Sequence, residues 1–161
     1  MRIKRSKIIQ KINKIMTTAA VTASAVCFLS SCSEDDTLYF SYEPVDNEKW
    51  EKSDDLHFTI APQRYKGNCK SFVVLRMNEK YPFKNVSVNV ETKLHGIKAV
   101  KRVDFDVRHN HSGIRHNDYI MPVNKLYVEE NDTIYVRIAH NMKTNMLHGI
   151  TDVGIKVIKT K

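Results

Sequence analysis

From Leu38 to the end of the chain, apolar and polar residues alternate with a period of two, and no convincing helical period interrupts them. The clearest run sets Val86, Val88, Val90, Thr92 and Leu94 against Ser87, Asn89, Glu91 and Lys93. Successive side chains of a strand point to opposite faces, so this run predicts a strand with one face on a core and one in water. Leu56, Phe58 and Ile60 alternate with His57 and Thr59 until Pro62 closes the run, whereas Phe72 to Met77 is apolar on both faces and predicts a central strand. The pattern recurs at Val103, Phe105 and Val107, at Ile120 to Val123, at Leu126 to Val128, at Ile134, Val136 and Ile138, and at Val153, Ile155 and Val157. Turn signals fall between them at Tyr65-Lys66-Gly67-Asn68, Tyr81-Pro82, His95-Gly96, Ser112-Gly113 and Glu130-Asn131-Asp132. Seven or eight short strands spaced in this way predict an all-β protein, an antiparallel β-sandwich of jelly-roll or immunoglobulin-like order.

Residues 1–31 follow a different rule. Met1 to Lys14 carries Arg2, Lys4, Arg5, Lys7, Lys11 and Lys14 with no acidic residue, and Ile15 to Ser30 is a short apolar tract diluted by Thr17, Thr18, Thr22 and Ser24. A spanning helix needs about 20 predominantly apolar residues, so the tract reads as a cleaved signal peptide rather than an anchor. It ends in Leu29-Ser30-Ser31-Cys32. That tract resembles a bacterial lipobox: Leu29 gives the peptidase an apolar anchor, Ser30 and Ser31 let the backbone lie extended, and the Cys32 thiol takes lipid. Cys32 would then open the mature chain, carrying diacylglyceryl and an acyl group such as palmitate. The predicted organisation is a signal peptide over 1–31, a lipidated acidic tether over 32–37, and the sandwich over 38–161. Glu34, Asp35 and Asp36, directly after the cysteine, resemble the acidic export signal of Bacteroidetes surface lipoproteins.

Cleavage changes the charge balance. The full chain has a formal net charge of +8, but removing the six basic residues of the signal from its 26 leaves 20 Lys and Arg against 18 Asp and Glu. A mature charge of about +2 does not support a nucleic-acid partner. Cys27 leaves with the signal and Cys32 is lipidated, so Cys69 is the one remaining thiol and no intrachain disulfide can form. Lys66 and Lys70 flank Cys69 and would lower its pKa if they were close in space; a buried bystander is the plainer reading.

The residues offer no catalytic constellation: a nucleophile elbow, a Walker loop, a dinucleotide fingerprint and paired metal-binding cysteines are all absent. The chain is expected to be no enzyme and to need no cofactor. His109 and His111 would point the same way on an extended chain, and His116 across Gly113 could complete a zinc face, but an exposed hydrophilic loop is the plainer reading. His140 is in phase with Ile134, Val136 and Ile138, which predicts a hydrogen-bonded histidine at the core or its rim. Asp152 is expected to bond backbone amides in a turn before a strand, and Gly154 to mark a bulge or close packing. Trp50 either covers an end of the sandwich or, exposed with Tyr39, Tyr42 and Tyr65, stacks on sugar rings. Asp36-Thr37-Leu38 and Asp132-Thr133-Ile134 resemble a short O-glycosylation motif of Bacteroidetes.

Several blocks carry a resemblance to one family. They are Trp50 followed by Leu56-His57-Phe58, Asn78 to Val86 with Tyr81-Pro82-Phe83 inside it, and Ile138-Ala139-His140-Asn141-Met142 leading to Leu147-His148-Gly149-Ile150-Thr151-Asp152-Val153-Gly154. From about Tyr42 onward the chain resembles the gliding-motility lipoprotein GldH family of Bacteroidetes. The resemblance implies a lipoprotein anchored in the outer membrane, facing the cell surface or the periplasm. It also implies a non-catalytic accessory with protein partners in a motility or secretion apparatus of the envelope. A surface glycan-binding module is the alternative.

Overall fold

The structure, a computed structural model, describes residues 36–61, 64–107 and 116–160. These residues form β1 (Thr37–Pro44), β2 (Lys49–Glu51), β3 (Leu56–Ile60), β4 (Gly67–Met77), β5 (Asn85–Leu94), β6 (Ile97–Asp106), β7 (Asn117–Val128), β8 (Ile134–His140), β9 (Met146–His148) and β10 (Ile150–Lys159), with a 3-10 turn at Asp46–Glu48. The strands pair as nested antiparallel hairpins: β1 with β10, β3 with β8, β4 with β7, and β5 with β6. Folding this nest once across its length gives two sheets, ordered β1-β10-β4-β7 and β3-β8-β5-β6. This is the jelly-roll arrangement, which decides between the two orders that the alternation left open.

Strands expected from period two are present, and β4 is central, between β10 and β7. Val73 and Leu75 of β4, Val153, Ile155 and Val157 of β10, and Val86, Val88 and Val90 of β5 join Phe105, Val136 and Ile138 in one buried core. Two runs expected to be separate strands form one. Ile120 to Val123 and Leu126 to Val128 both belong to β7, where an extra residue shifts the register between Phe72↔Pro122 and Lys70↔Lys125. Such a bulge restores the inward phase after a break in alternation, which is why the sequence shows two runs. Two strands beyond the expected seven or eight, β2 and β9, pair with each other in a small separate sheet.

The β5–β6 hairpin turns on His95 and Gly96, with φ of 52° and 76°. Positive φ at both positions is the type I′ geometry that matches strand twist, and Gly96 adopts it without steric cost. At the edge of the first sheet, Pro122 interrupts the β7 donors and Lys101 Nζ of β6 donates to Val123 O at 2.6 Å. On the outer face of the second sheet a chain of ion pairs runs Asp55 to Arg137 (2.6 Å), Arg137 to Glu91 (2.9 Å) and Glu91 to Lys98 (2.9 Å).

The register separates the two ends of the sandwich. At one end lie Asp36, whose carbonyl accepts the Lys159 N–H at 2.7 Å, and Asn68, whose carbonyl accepts that of Thr160 at 2.9 Å. The other end gathers the β2–β9 pair, the β4–β5 turn and the segment after β8.

Candidate functional site

The end opposite Asp36 collects most of the residues that carried the family resemblance. Gly149, with φ of 84°, links β9 to β10 and sits directly against the β4–β5 turn. A Cβ there would clash with Tyr81 N and lie 2.7 Å from Lys80 C, so only glycine allows this approach. Asn78 N–H donates to Gly149 O at 2.9 Å, and Gly149 N–H donates to Glu48 O at 3.0 Å. Tyr81 is fully buried and its hydroxyl donates to Asn85 O at 2.8 Å, while burial raises its pKa. Pro82 follows in the same turn. Lys80 reaches Glu48 at 2.7 Å and, by that hydrogen bond first, holds its carboxyl below the usual range.

Trp50 is 1 % exposed. It belongs to β2, opposite Leu147, and its Nε1–H donates to Asp54 O at 2.8 Å. The indole therefore closes an end of the sandwich, as one reading expected, and cannot stack on a sugar. Its charged neighbours disguised the position, because only the middle residue of a three-residue strand faces inward. The ring meets His140 edge to face, with centroids 5.4 Å apart.

His140 faces the core at 3 % exposure, as its phase predicted, and its ring nitrogens, closed to solvent, meet the backbone at Trp50 and Asn145 without a hydrogen bond of full geometry. Burial first, and then the Lys52 charge, push its pKa below the ordinary histidine value, while the backbone at Trp50 and Asn145 pulls weakly the other way. The segment after it is pinned on both sides. Asn141 N–H donates to Ser87 O at 2.7 Å and Ser87 N–H donates to Met142 Sδ at 3.4 Å. Lys52 Nζ donates to Met142 O at 3.0 Å.

A second cluster lies on the outer face of the first sheet, and alternation alone did not reveal it. Arg76 Nε and Nη2 donate to the Asp118 carboxylate at 2.8 and 3.1 Å, the Tyr42 hydroxyl donates to Asp118 Oδ2 at 2.9 Å, and the Arg76 guanidinium stacks on the Tyr42 ring at 4.3 Å. Asp152 is part of this cluster, 3.9 Å from Arg76 and accepting from the Thr151 hydroxyl at 2.8 Å. It stands inside β10, not in a turn before it, because its backbone is committed to the β1 and β4 ladders. Arg76 holds Asp118 below the usual carboxylate range, while burial and Asp118 push the Tyr42 phenol up to about 12. Beside this polar row, Phe40 is 47 % and Ile120 51 % exposed. With Phe72 and Pro122 they occupy outward register positions on β1, β4 and β7, and Lys156 of β10 stands in the same row between Phe40 and Phe72, its Nζ 5.7 Å from the centre of the Phe40 ring, so the face mixes apolar side chains with a cation.

The remaining predicted residues are dispersed. Leu29, Ser30, Ser31, Cys32, Glu34, Asp35, His109 and His111 lie outside the described residues. Asp36 and His116 are exposed. Among the described residues no group of three or more His, Cys, Asp or Glu side chains is placed to hold a metal ion. Cys69 is buried and free, and burial pushes its thiol up to about 11, against the lowering that nearby lysines would have caused.

Comparison with solved structures finds several of low sequence identity. The mosquito-larvicidal Cry4Aa toxin from Bacillus thuringiensis matches with a TM-score of 0.48 and 8 % identity over 75 % of this chain; the chain spans 24 % of the toxin. Eiger TNF from S. frugiperda matches with a TM-score of 0.35 and 9 % identity, covering 76 % of this chain and 93 % of that one. Dimeric latent PorU from Porphyromonas gingivalis gives 0.35 and 9 %, covering 76 % and 13 %. No curated protein matches. The GldH lipoprotein family model, in contrast, matches residues 37–157, which takes in both clusters and almost the whole sandwich: the chain belongs to the GldH lipoprotein family.

Proposed function

We propose that this chain is an outer-membrane lipoprotein that serves gliding motility, or the associated cell-envelope machinery, as a non-catalytic accessory. Family membership over residues 37–157 is the observation that carries the reading. The sequence before Asp36 supplies the anchor. Each buried methylene contributes about 0.8 kcal/mol, so the acyl chains on Cys32 hold the sandwich at the membrane. Confinement to one membrane raises the effective concentration of a partner and lets a modest contact suffice. The row of Phe40, Lys156, Phe72 and Pro122, with Ile120 beside it, supports an envelope protein as that partner, since exposed aromatic side chains next to a cation suit a protein surface. The ionisable groups beside it are bound to one another, which suits a contact surface better than a reaction centre.

Crosslinking in intact cells followed by mass spectrometry tests the reading, with the Cys32→Ala form as control. Recovery of motility or secretion components from the anchored form alone is the expected result. Equal recovery from both forms, or none from either, would end it. Protease shaving decides the face: wild type should be cleaved on intact cells, and a form with Glu34, Asp35 and Asp36 changed to Ala should be protected.

A further inference from the structure

At the end opposite Asp36, a cleft of about 550 Å³ opens between the β4–β5 turn, the outer face of β5 and β6, and the segment after β8. One wall is the Phe83 ring, 38 % exposed and held edge-on by Tyr81 with centroids 5.7 Å apart. Met142 lies opposite in sequence and also lines the cleft. Arg102 and Asp104 form an exposed pair at 3.0 Å on β6. The floor contains Ser87, an outward position of β5 that is only 5 % exposed because Met142 and its neighbours roof it. Its Oγ is closed to solvent and faces the neighbouring strand. Asp104 is its cross-strand neighbour, and the Ser87 hydroxyl first, then Arg102, hold that carboxylate below the usual range.

The mixture restricts what the cleft can take. A simple anion would meet Asp104, and a simple cation would meet Arg102 and Lys143. A purely apolar ligand would strip water from the Arg102–Asp104 pair and from the Asn85 amide, which costs more than the contact returns. A polyhydroxylated ring suits all of them: its C–H face packs on Phe83 and Met142, and its hydroxyls donate to Asp104 and accept from Arg102 and Asn85.

We propose that the cleft bounded by Phe83, Ser87, Arg102, Asp104 and Met142 binds a pyranose unit of a glycan. This site is distinct from the Phe40–Ile120 patch and does not rest on the accessory role. The lipidated full chain, purified in a detergent without a sugar headgroup, is titrated with methyl glycosides of glucose, galactose, mannose and N-acetylglucosamine and followed by saturation-transfer NMR. At least one should bind saturably with a Kd in the millimolar range, about the affinity of a single sugar ring in an open cleft. Asp104→Asn, which keeps the shape and removes the charge, and Phe83→Ala should each weaken it by roughly tenfold or more while the melting temperature stays near that of wild type. No saturable binding by any of the four up to about 50 mM, or binding that both variants retain in full, overturns the assignment.

Discussion

The Tyr42 ring covers Gly154 across the β1–β10 pair: a Cβ on Gly154 would lie 2.8 Å from Tyr42 Cδ1 and 2.9 Å from Ser41 O. A glycine in a strand interior leaves a gap on the outer face, and the aromatic ring of the neighbouring strand fills it. The same ring then presents its hydroxyl to Asp118 and its face to Arg76. Gly154→Ala should push the ring off this seat and cost about 1–3 kcal/mol by overpacking, read from the denaturant midpoint. A midpoint equal to wild type would show that the ring has room to move.

Gly149→Ala should do more damage. The residue combines a left-handed backbone with contact against the Lys80–Tyr81 backbone, which cannot retreat without losing the Asn78 and Glu48 hydrogen bonds. Strain and clash together predict a loss above about 3 kcal/mol, with the β2–β9 end exchanging its amide hydrogens first. Uniform protection of that end in the variant would contradict this.

His140 makes stability depend on pH in a defined window. Its pKa in the folded chain is depressed, so the unfolded chain binds the proton more readily. Its contribution is intact above the ordinary histidine value of about 6.5 and declines as pH falls from there toward the depressed folded value. His140→Leu removes the titrating ring and should flatten stability across that window while leaving the lower, carboxylate-driven decline. Chemical denaturation at a series of pH values in both forms gives the comparison; parallel curves would exclude the ring as the source.

Asp118→Asn tests the outer cluster. The carboxylate is partly exposed, so its bidentate bond to Arg76 is screened and should be worth only about 0.2–1 kcal/mol. Its folded pKa lies below the unfolded one, so the contribution is present above about pH 4 and is lost as pH falls through the folded value. The variant should therefore be slightly less stable near neutrality and converge with wild type in acid. Convergence at neutral pH instead would mean that the guanidinium finds an equal partner in Asp152.

Cys32→Ala should accumulate as unprocessed precursor that takes up no labelled fatty acid. Mass spectrometry locating an unmodified mature N-terminus at any other residue would refute lipidation at Cys32.

Alternation exposed the long strands because each buries one face or both, and it placed β4 at the centre from Phe72 to Met77. It failed where burial and strand are not the same thing. Ile97 to Arg102 of β6 are exposed and carry little pattern, and β2 and β9 are too short for a period to appear. The nested order lies beyond local reading, since the partner of Thr37 is Ile158 and nothing near either residue specifies the other. At the candidate sites, phase was enough to bury His140. It could not reveal that Trp50 would occupy the space beside the ring, or that Tyr42, Arg76, Asp118 and Asp152, drawn from four strands, would meet on one face.

The adjacency of β1 and β10 also has a mechanical side. β1 is held to β10 through registered pairs from Thr37 to Pro44. Tension applied at Asp36 and resisted at the far end pulls β1 lengthwise, so its backbone hydrogen bonds share the load in shear. The same tension resisted at Lys159, beside Asp36, would peel them apart one after another. The jelly roll is thus braced against traction in one direction, along the line from Asp36 to the end built on Gly149 and Trp50.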